Sequence, residues 1–201
     1  MNIHATSKHK RKGHALSLTI RSTTSSDFAH IMGVHVRGFG YAKEAQLTAG
    51  LLDDITAKPI ISLMALHGSE PVGHILFTRI RLNGKEEPLL HILAPLAVTP
   101  EYQRQGVGGM LIRAGLEKLR EIGSQAVFVL GHKEYYPRYG FIPHAMRQGY
   151  QPPYPIPDEN SAYWMFQLLT PEAAHIEKGT LRCAEALDNP AHWRDDDGTV
   201  D

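Results

Sequence analysis

The sequence predicts an α+β fold, namely a single mixed and mostly antiparallel sheet of about seven strands flanked by helices. Three observations support this class. Short apolar or alternating runs are separated by turn signals, a pattern typical of antiparallel hairpins. Two stretches between the first two such runs carry apolar residues three and four apart, which predicts helices. A third helical stretch, 106–122, links two apolar runs, and a helical crossover of this kind makes its two strands parallel neighbours.

The predicted strands follow the apolar pattern along the chain. Their ranges are 16–21, 60–66, 72–82, 89–98, 126–130, a short start at Phe141, and 163–169. The fourth is nearly continuous in apolar residues, so we expect it in the centre of the sheet. Because Pro95 cannot donate a ladder hydrogen bond, we expect a bulge or a local parting of strands at that point.

Two helices are predicted between the first and second strands. Ser25 or Ser26 is expected to cap the first helix, Gly38 and Gly40 end it, and the second runs to about Ile55. The segment 143–161 carries four prolines and predicts a long irregular excursion before the last strand.

The 201 residues predict one domain with tails. Residues 1–15 are polar, basic and without periodicity, so we expect a disordered N-terminal tail. The domain is expected to span 16–170. Residues 171–201 are then a C-terminal extension, with a short helix near its start and an acidic tail at its end.

Composition excludes several function classes. Lys plus Arg equals Asp plus Glu at 21 each, so net charge gives no general attraction to nucleic acid or to an anionic membrane. No apolar run approaches the roughly 18 to 20 residues of a membrane span, and the basic N-terminus lacks the apolar stretch of a secretory signal. The single cysteine, Cys183, permits no intramolecular disulfide. We therefore expect a cytoplasmic protein that binds neither nucleic acid nor membrane.

The twelve histidines predict no metal site. They are scattered singly, without the HxxxH spacing that places two ligands on one helix face.

The most informative stretch is 96–119, where an apolar strand end leads through a turn into an amphipathic helix. Glycines at 106, 108 and 109 open that helix, and no Asp or Glu occurs from Gln103 to Leu116. Free N–H groups at a helix start, with the positive end of the helix dipole, attract an anion. The spacing fits neither a P-loop nor a dinucleotide fingerprint. A phosphate cradle and a simple packing turn both remain compatible with the glycines alone.

Two motifs in this order resemble the GNAT superfamily of acyl-CoA-dependent N-acetyltransferases. They are Leu96-Ala97-Val98 with Pro100 and Gln103-x-x-Gly106-x-Gly108, followed about thirty residues later by Tyr136-x-x-x-Gly140-Phe141. The order of elements from residue 16 to residue 169 fits that family as well. The resemblance implies acetyl-CoA as co-substrate, no metal, and strands four and five that splay apart to admit it.

The resemblance also assigns residues to acetyl-CoA. The backbone of the strand end would pair with the pantetheine arm, and amides of the glycine turn would hold the pyrophosphate. Many members carry an Asn where this sequence has Val129, and Gly131 and His132 are expected to fill that space. Tyr136 would also bind the cofactor and give a proton to the departing thiolate, although Tyr135 and Tyr139 are close alternatives. The implied cofactor-binding set is Leu96, Ala97, Val98, Arg104, Gln105, Gly106, Val107, Gly108, Gly109, His132 and Tyr136. Lys133 or Arg138 would lie near the phosphates.

The resemblance does not assign the general base, and it assigns the acceptor site only by region. Many family members carry a Glu or Asp two residues before the matched strand end, where this sequence has Ala94. His91, His132 and Glu134 are candidate bases, and a water relay needs no residue. The family's acceptor side is built by the turn at 38–41 and the insert at 143–161. Tyrosines in these segments are compatible with an aromatic wall for the amine, and equally with an inert exposed loop or a dimer contact. The expected members of the wall are Tyr41, Tyr150 and Tyr154.

The expected function is N-acetylation of a small-molecule or peptide amine, with a homodimer possible. A catalytically inactive CoA-binding regulator is the alternative, because of Ala94. Nucleic-acid binding through the basic N-terminus is a weaker third hypothesis.

Overall fold

A computed structural model describes residues 17–193 of the chain, in which three α-helices and eight strands form. The helices are α1 (Phe28–Phe39), α2 (Lys43–Asp53) and α3 (Val107–Glu121). The strands are β1 (Leu18–Ser22), β2 (Ile61–His67), β3 (Glu70–Leu82), β4 (Leu90–Val98), β5 (Ala126–Leu130), β6 (Tyr150–Gln151), β7 (Trp164–Leu168) and β8 (Gly179–Arg182). The predicted tail at 1–15 lies outside the described residues.

The strands form one mixed sheet in the order β1-β2-β3-β4-β5-β7, with β8 joining the end of β3 and pairing with β6. The main path is antiparallel except for β4 and β5, which the α3 crossover makes parallel. The predicted fold class is confirmed. At Phe141 the structure has an isolated bridge from Ile142 to Phe166 instead of a strand.

The start of α1 differs from the prediction in its cap. The Asp27 carboxylate accepts a hydrogen bond from the Thr24 amide at 2.8 Å and forms an ion pair with Arg21 at 2.7 Å. Asp27 is the N-cap residue of α1, but its side chain bonds no amide of that helix. With Thr24 it forms a capping box around the short 3-10 turn Ser25–Asp27 that leads into α1. At the other end, α1 stops at Gly40, whose φ of +79° favours glycine.

The core consists of two apolar clusters on opposite faces of the sheet. Along β4, Ile92 and Ala94 belong to one cluster and Leu93 to the other, as expected for side chains that alternate across a strand. Leu96 lies on the same face as Leu93, because β4 has one extra residue against β3 between these two positions. Helix α3 packs on the second face. Helix α2 and the C-terminal segment cover the first face, which we call the α2 face.

The C-terminal extension is ordered where a loose tail was expected. Between residues 176 and 193 it contributes β8 and buries Leu181, Leu187 and Trp193, with 0%, 4% and 5% of their surfaces exposed. Burial of three large apolar side chains offsets the entropy of ordering the segment. The extension is therefore part of the domain core as far as residue 193.

Candidate active site

The central strands part where the sequence predicted. Pairing of β4 with β5 ends at Ile92 and Phe128, although β4 continues for six residues to Val98. On its other edge, β4 gains one residue against β3 between Leu93 and Leu96, a bulge that contains Pro95. The prediction of a bulge with a local parting at Pro95 is confirmed. Beyond Ile92, the β5-facing edge of β4 pairs with no described strand.

A cleft of about 660 Å³ occupies this gap and passes through the sheet. Its lining includes Leu93, Leu96 and Tyr136 from the α3 face. It also includes Ala94 and Trp193 from the α2 face. One opening therefore connects the two faces of the sheet.

The glycine turn forms one end of the cleft. Gly106 has a φ of +86° and precedes α3 as its N-cap, while Gly108 is buried in the first turn. The amides of Val107, Gly108 and Gly109 donate to no backbone carbonyl among the described residues. The exposed Arg104 also lines the cleft, and the first turn of α3 contains no acid. Unpaired amides at the positive end of a helix dipole, beside a cation, can bind an anion.

Two tyrosines pack against this turn, and each explains why one of its positions is a glycine. A Cβ on Gly108 would collide with the hydroxyl of Tyr135, and one on Gly109 with the hydroxyl of Tyr139. The sequence suggested that these glycines leave room for a ligand. The structure shows that the room at both Cβ positions is filled by tyrosine hydroxyls, while the amide groups remain unpaired.

Tyr136 lines the cleft next to these two rings. Its own ring packs edge-on against Tyr135, with centroids 5.2 Å apart, and against Phe141. Burial raises the pKa of the Tyr136 phenol above its ordinary value, and the described contacts include no hydrogen bond from its hydroxyl. Tyr135 differs, because burial and the neighbouring Tyr139 both raise its pKa. Tyr136 is the member of the group whose pKa is raised by burial alone.

The comparisons with known proteins agree with this geometry. A family model described as the acetyltransferase (GNAT) family matches residues 39–141. Over 168 residues the chain is 54% identical to YjhQ of Escherichia coli K12, which is named an uncharacterized N-acetyltransferase; the match covers 83% of this chain and 92% of that protein.

The chain belongs to the acetyltransferase (GNAT) family.

Two solved structures of GNAT proteins resemble the chain along most of its length. YhbS of Escherichia coli, in complex with CoA, is 27% identical with a TM-score of 0.78, and the match covers 92% of this chain and 97% of YhbS. A GNAT acetyltransferase of Brucella melitensis, in complex with acetyl-CoA, is 28% identical with a TM-score of 0.69, with coverage of 86% and 99%. Family membership makes the chain an acyl-CoA-dependent acetyltransferase by class.

Most of the residues that the GNAT resemblance assigned to acetyl-CoA line the cleft. They are Leu96, Val98, Arg104, Gly106, Val107, Gly108, His132 and Tyr136. Ala97, Gln105 and Gly109 are not among the lining residues. Ala97 is buried opposite His74, and the Gln105 side chain donates to the carbonyl of Glu101. Arg138 lines the cleft, whereas Lys133 lies over the ring of Tyr163 instead.

His91 is placed where it cannot act as the predicted base. It is fully buried and does not line the cleft. Its Nε2 donates to the carbonyl of Pro59 at 3.1 Å, so its Nδ1 accepts from the hydroxyl of Ser124 at 2.9 Å. Burial lowers the pKa of His91 to about 4. Both nitrogens are engaged, and His91 is a structural histidine. Of the other candidates, His132 lines the cleft and Glu134 does not.

The predicted aromatic acceptor wall is also corrected, because none of its three tyrosines lines the cleft. Tyr41 is exposed beside Phe39. Tyr150 is buried under β5, where its hydroxyl accepts from Lys178 at 2.9 Å. Tyr154 donates to Asp188 at 2.9 Å.

Other residues occupy the α2-face half of the cleft. Those that sequence reasoning missed are Phe39, Glu44, Leu47, Leu187, His192 and Trp193. In the sequence, Glu44 resembles an ordinary acid in the first turn of a helix, so nothing around it indicated a functional residue. Trp193 lies more than fifty residues beyond Phe141, outside both motifs.

No helix of the described part of the chain is long and apolar enough to cross a membrane. Within residues 17–193 there is likewise no group of three or more His, Cys, Asp or Glu side chains arranged to hold a metal ion.

Proposed function

We propose that the protein transfers an acetyl group from acetyl-CoA to a primary amine by direct attack in a ternary complex. The observation that carries this proposal is the cleft through the sheet. A donor bound on the α3 face and an acceptor bound on the α2 face would meet in the gap between β4 and β5. Holding both reactants in one site removes much of the entropic barrier to a bimolecular reaction.

The chain's own groups suit acetyl-CoA on the α3 face. The unpaired amides of Val107, Gly108 and Gly109 would bind the pyrophosphate, with Arg104 and Arg138 near the phosphates. The β5-facing edge of β4 would pair with the pantetheine arm as an added strand would. An amide of that edge, near Leu96 to Val98, would stabilise the oxyanion that forms on the thioester carbonyl.

Tyr136 would act as the general acid. The attacking nitrogen forms a bond to the carbonyl carbon, the C–S bond breaks, and the phenol gives its proton to the thiolate. Because burial raises the pKa of Tyr136, the phenol is protonated at neutral pH and available as a donor.

The test mixes the purified full chain with acetyl-CoA and a panel of primary amines and follows thiol release. Acetyl-CoA affinity is measured in parallel by titration calorimetry. We expect thiol release that depends on the amine. Tight acetyl-CoA binding without turnover on any amine would favour the alternative suggested by Ala94, a CoA-binding regulator.

Two further sequence predictions stay open beside this proposal. A cytoplasmic location is tested by cell fractionation, and a homodimer by light scattering.

A further inference from the structure

Among residues 17–193, the α2-face half of the cleft contains one carboxylate, that of Glu44 in the first turn of α2. Its Oε2 atom has essentially no solvent-accessible surface and no hydrogen-bond partner. Burial raises the pKa of Glu44, while the charge of neighbouring Lys43 opposes this effect. The turn that carries Glu44 is fixed, because the Thr48 hydroxyl donates to the Glu44 carbonyl at 2.6 Å.

A buried carboxylate oxygen without a partner is costly, and native structures rarely leave one. Because Oε2 has no accessible surface, a ligand reaches it only when the side chain turns into the cleft that Glu44 lines. There the cost disappears, since the ligand brings a donor, and a cationic donor gives the strongest hydrogen bond. Glu44 is the only acid among the described residues that line the cleft. Among the described residues, a cation that enters the α2-face half therefore has one carboxylate to bind.

We propose that Glu44 binds the ammonium group of the acceptor and takes its proton, and that the acceptor is a monoamine with an apolar body. This inference rests on the proposed function, since an amine must reach the thioester.

The walls around Glu44 define the rest of the acceptor. Leu47, Leu187 and Trp193 are apolar, and Ala94 lies on β4 where a larger side chain would close the space. A polyamine would bring a second ammonium group that these walls cannot pair, and a buried unpaired charge is strongly unfavourable. An amino acid would bring a carboxylate close to Glu44. Arylalkyl and alkyl monoamines avoid both penalties.

The proton transfers balance as follows. The ammonium nitrogen gives one proton to the Glu44 carboxylate and becomes a neutral amine. That amine forms the N–C bond, the C–S bond breaks, and the thiolate takes the Tyr136 proton. The nitrogen loses its second proton as the amide forms, and this proton restores Tyr136. Glu44 then releases its proton to water, so one proton leaves per turnover.

The test measures binding of 2-phenylethylamine to the full chain saturated with CoA, by titration calorimetry. Replacing Glu44 removes a charge-assisted hydrogen bond, so Glu44→Gln should weaken amine binding about tenfold or more. Binding of the uncharged 2-phenylethanol should be the same in both proteins. Glu117→Gln is the matched control, because Glu117 is exposed on α3 outside the cleft. Glu44→Asp, which keeps the charge, should recover part of the amine affinity.

Three results would overturn the inference: no amine binding by the wild-type protein, equal amine affinity in Glu44→Gln, or tighter binding of spermidine than of 2-phenylethylamine. Turnover separates it from the proposed function. Thiol release with an unchanged kcat/KM in Glu44→Gln would refute the role of Glu44 and leave the transferase intact. Glu44-dependent amine binding without thiol release would support the amine site and refute acetyl transfer. Melting temperatures of all variants show whether each one folds.

Discussion

The two halves of the cleft differ in how the chain builds them. The α3-face half comes from one continuous stretch, 93–139, in which a strand end, a glycine turn and a tyrosine turn follow one another. The α2-face half joins α1 and α2 to the last described residues, so that Glu44 and Trp193 are about 150 positions apart. The first half depends on backbone amides, and the second depends on side chains brought together by the core. Local backbone chemistry leaves a motif in the sequence, whereas distant side chains do not.

The largest expected effect is on the α3-face half. We expect Gly108→Glu to lower acetyl-CoA affinity at least about a hundredfold, or about 2.7 kcal/mol, because it places negative charge among the amides that we propose bind the pyrophosphate. Titration calorimetry measures the loss.

Two matched variants make this experiment decisive. Gly108→Ala adds only the Cβ that would meet the Tyr135 hydroxyl, so a much smaller loss there assigns the effect to charge. Gly33→Glu makes the same substitution where no atom lies within 4 Å of the added Cβ, and should keep full affinity. Undiminished acetyl-CoA binding by a folded Gly108→Glu protein would show that the pyrophosphate binds elsewhere.

The features that the sequence predicted correctly are also local ones, and the features that it missed depend on distant residues. The fold class, the bulge at Pro95 and the splay were predictable, because the strand pattern, the missing proline N–H and the motif order are local properties. His91 was assigned as a base because the sequence does not show that Pro59 and Ser124 occupy both of its nitrogens.

The prediction of an aromatic acceptor wall was wrong for a related reason. Tyrosines in a proline-rich segment suggested an exposed aromatic surface, but Tyr150 contacts Phe128 in the core with ring centroids 5.5 Å apart. Burial of this kind depends on tertiary packing that composition does not reveal. Glu44 could have been found only by knowing that its oxygen lacks a partner.

An intermediate effect is expected where the two halves meet. Tyr136→Phe should lower kcat about a hundredfold, within the range for loss of a general acid, and leave acetyl-CoA affinity nearly unchanged. Steady-state kinetics with calorimetry measures both quantities.

Tyr135→Phe is the comparison for this variant, because the Tyr135 ring also lines the cleft and packs edge-on against Tyr136. We expect a weaker effect on kcat. Full activity in Tyr136→Phe would remove Tyr136 as the donor. A large loss in Tyr135→Phe alone would assign the proton to that neighbour instead.

The smallest effect is expected on the α2-face half. Ala94 is half-buried, lines the cleft and points to the α2 face, so Ala94→Leu should narrow the acceptor space. We expect KM for an arylalkyl amine to rise about tenfold, a change typical of a few methylenes in a pocket, while acetyl-CoA affinity is kept. Ala29→Leu, on the exposed surface of α1, should change neither quantity. If Ala94→Leu weakens the binding of acetyl-CoA instead of the binding of the amine, then the donor and the acceptor do not bind on separate faces of the sheet. A selective loss of amine affinity would show that the α2-face half of the cleft, which carries no sequence motif, still determines which acceptor the protein uses.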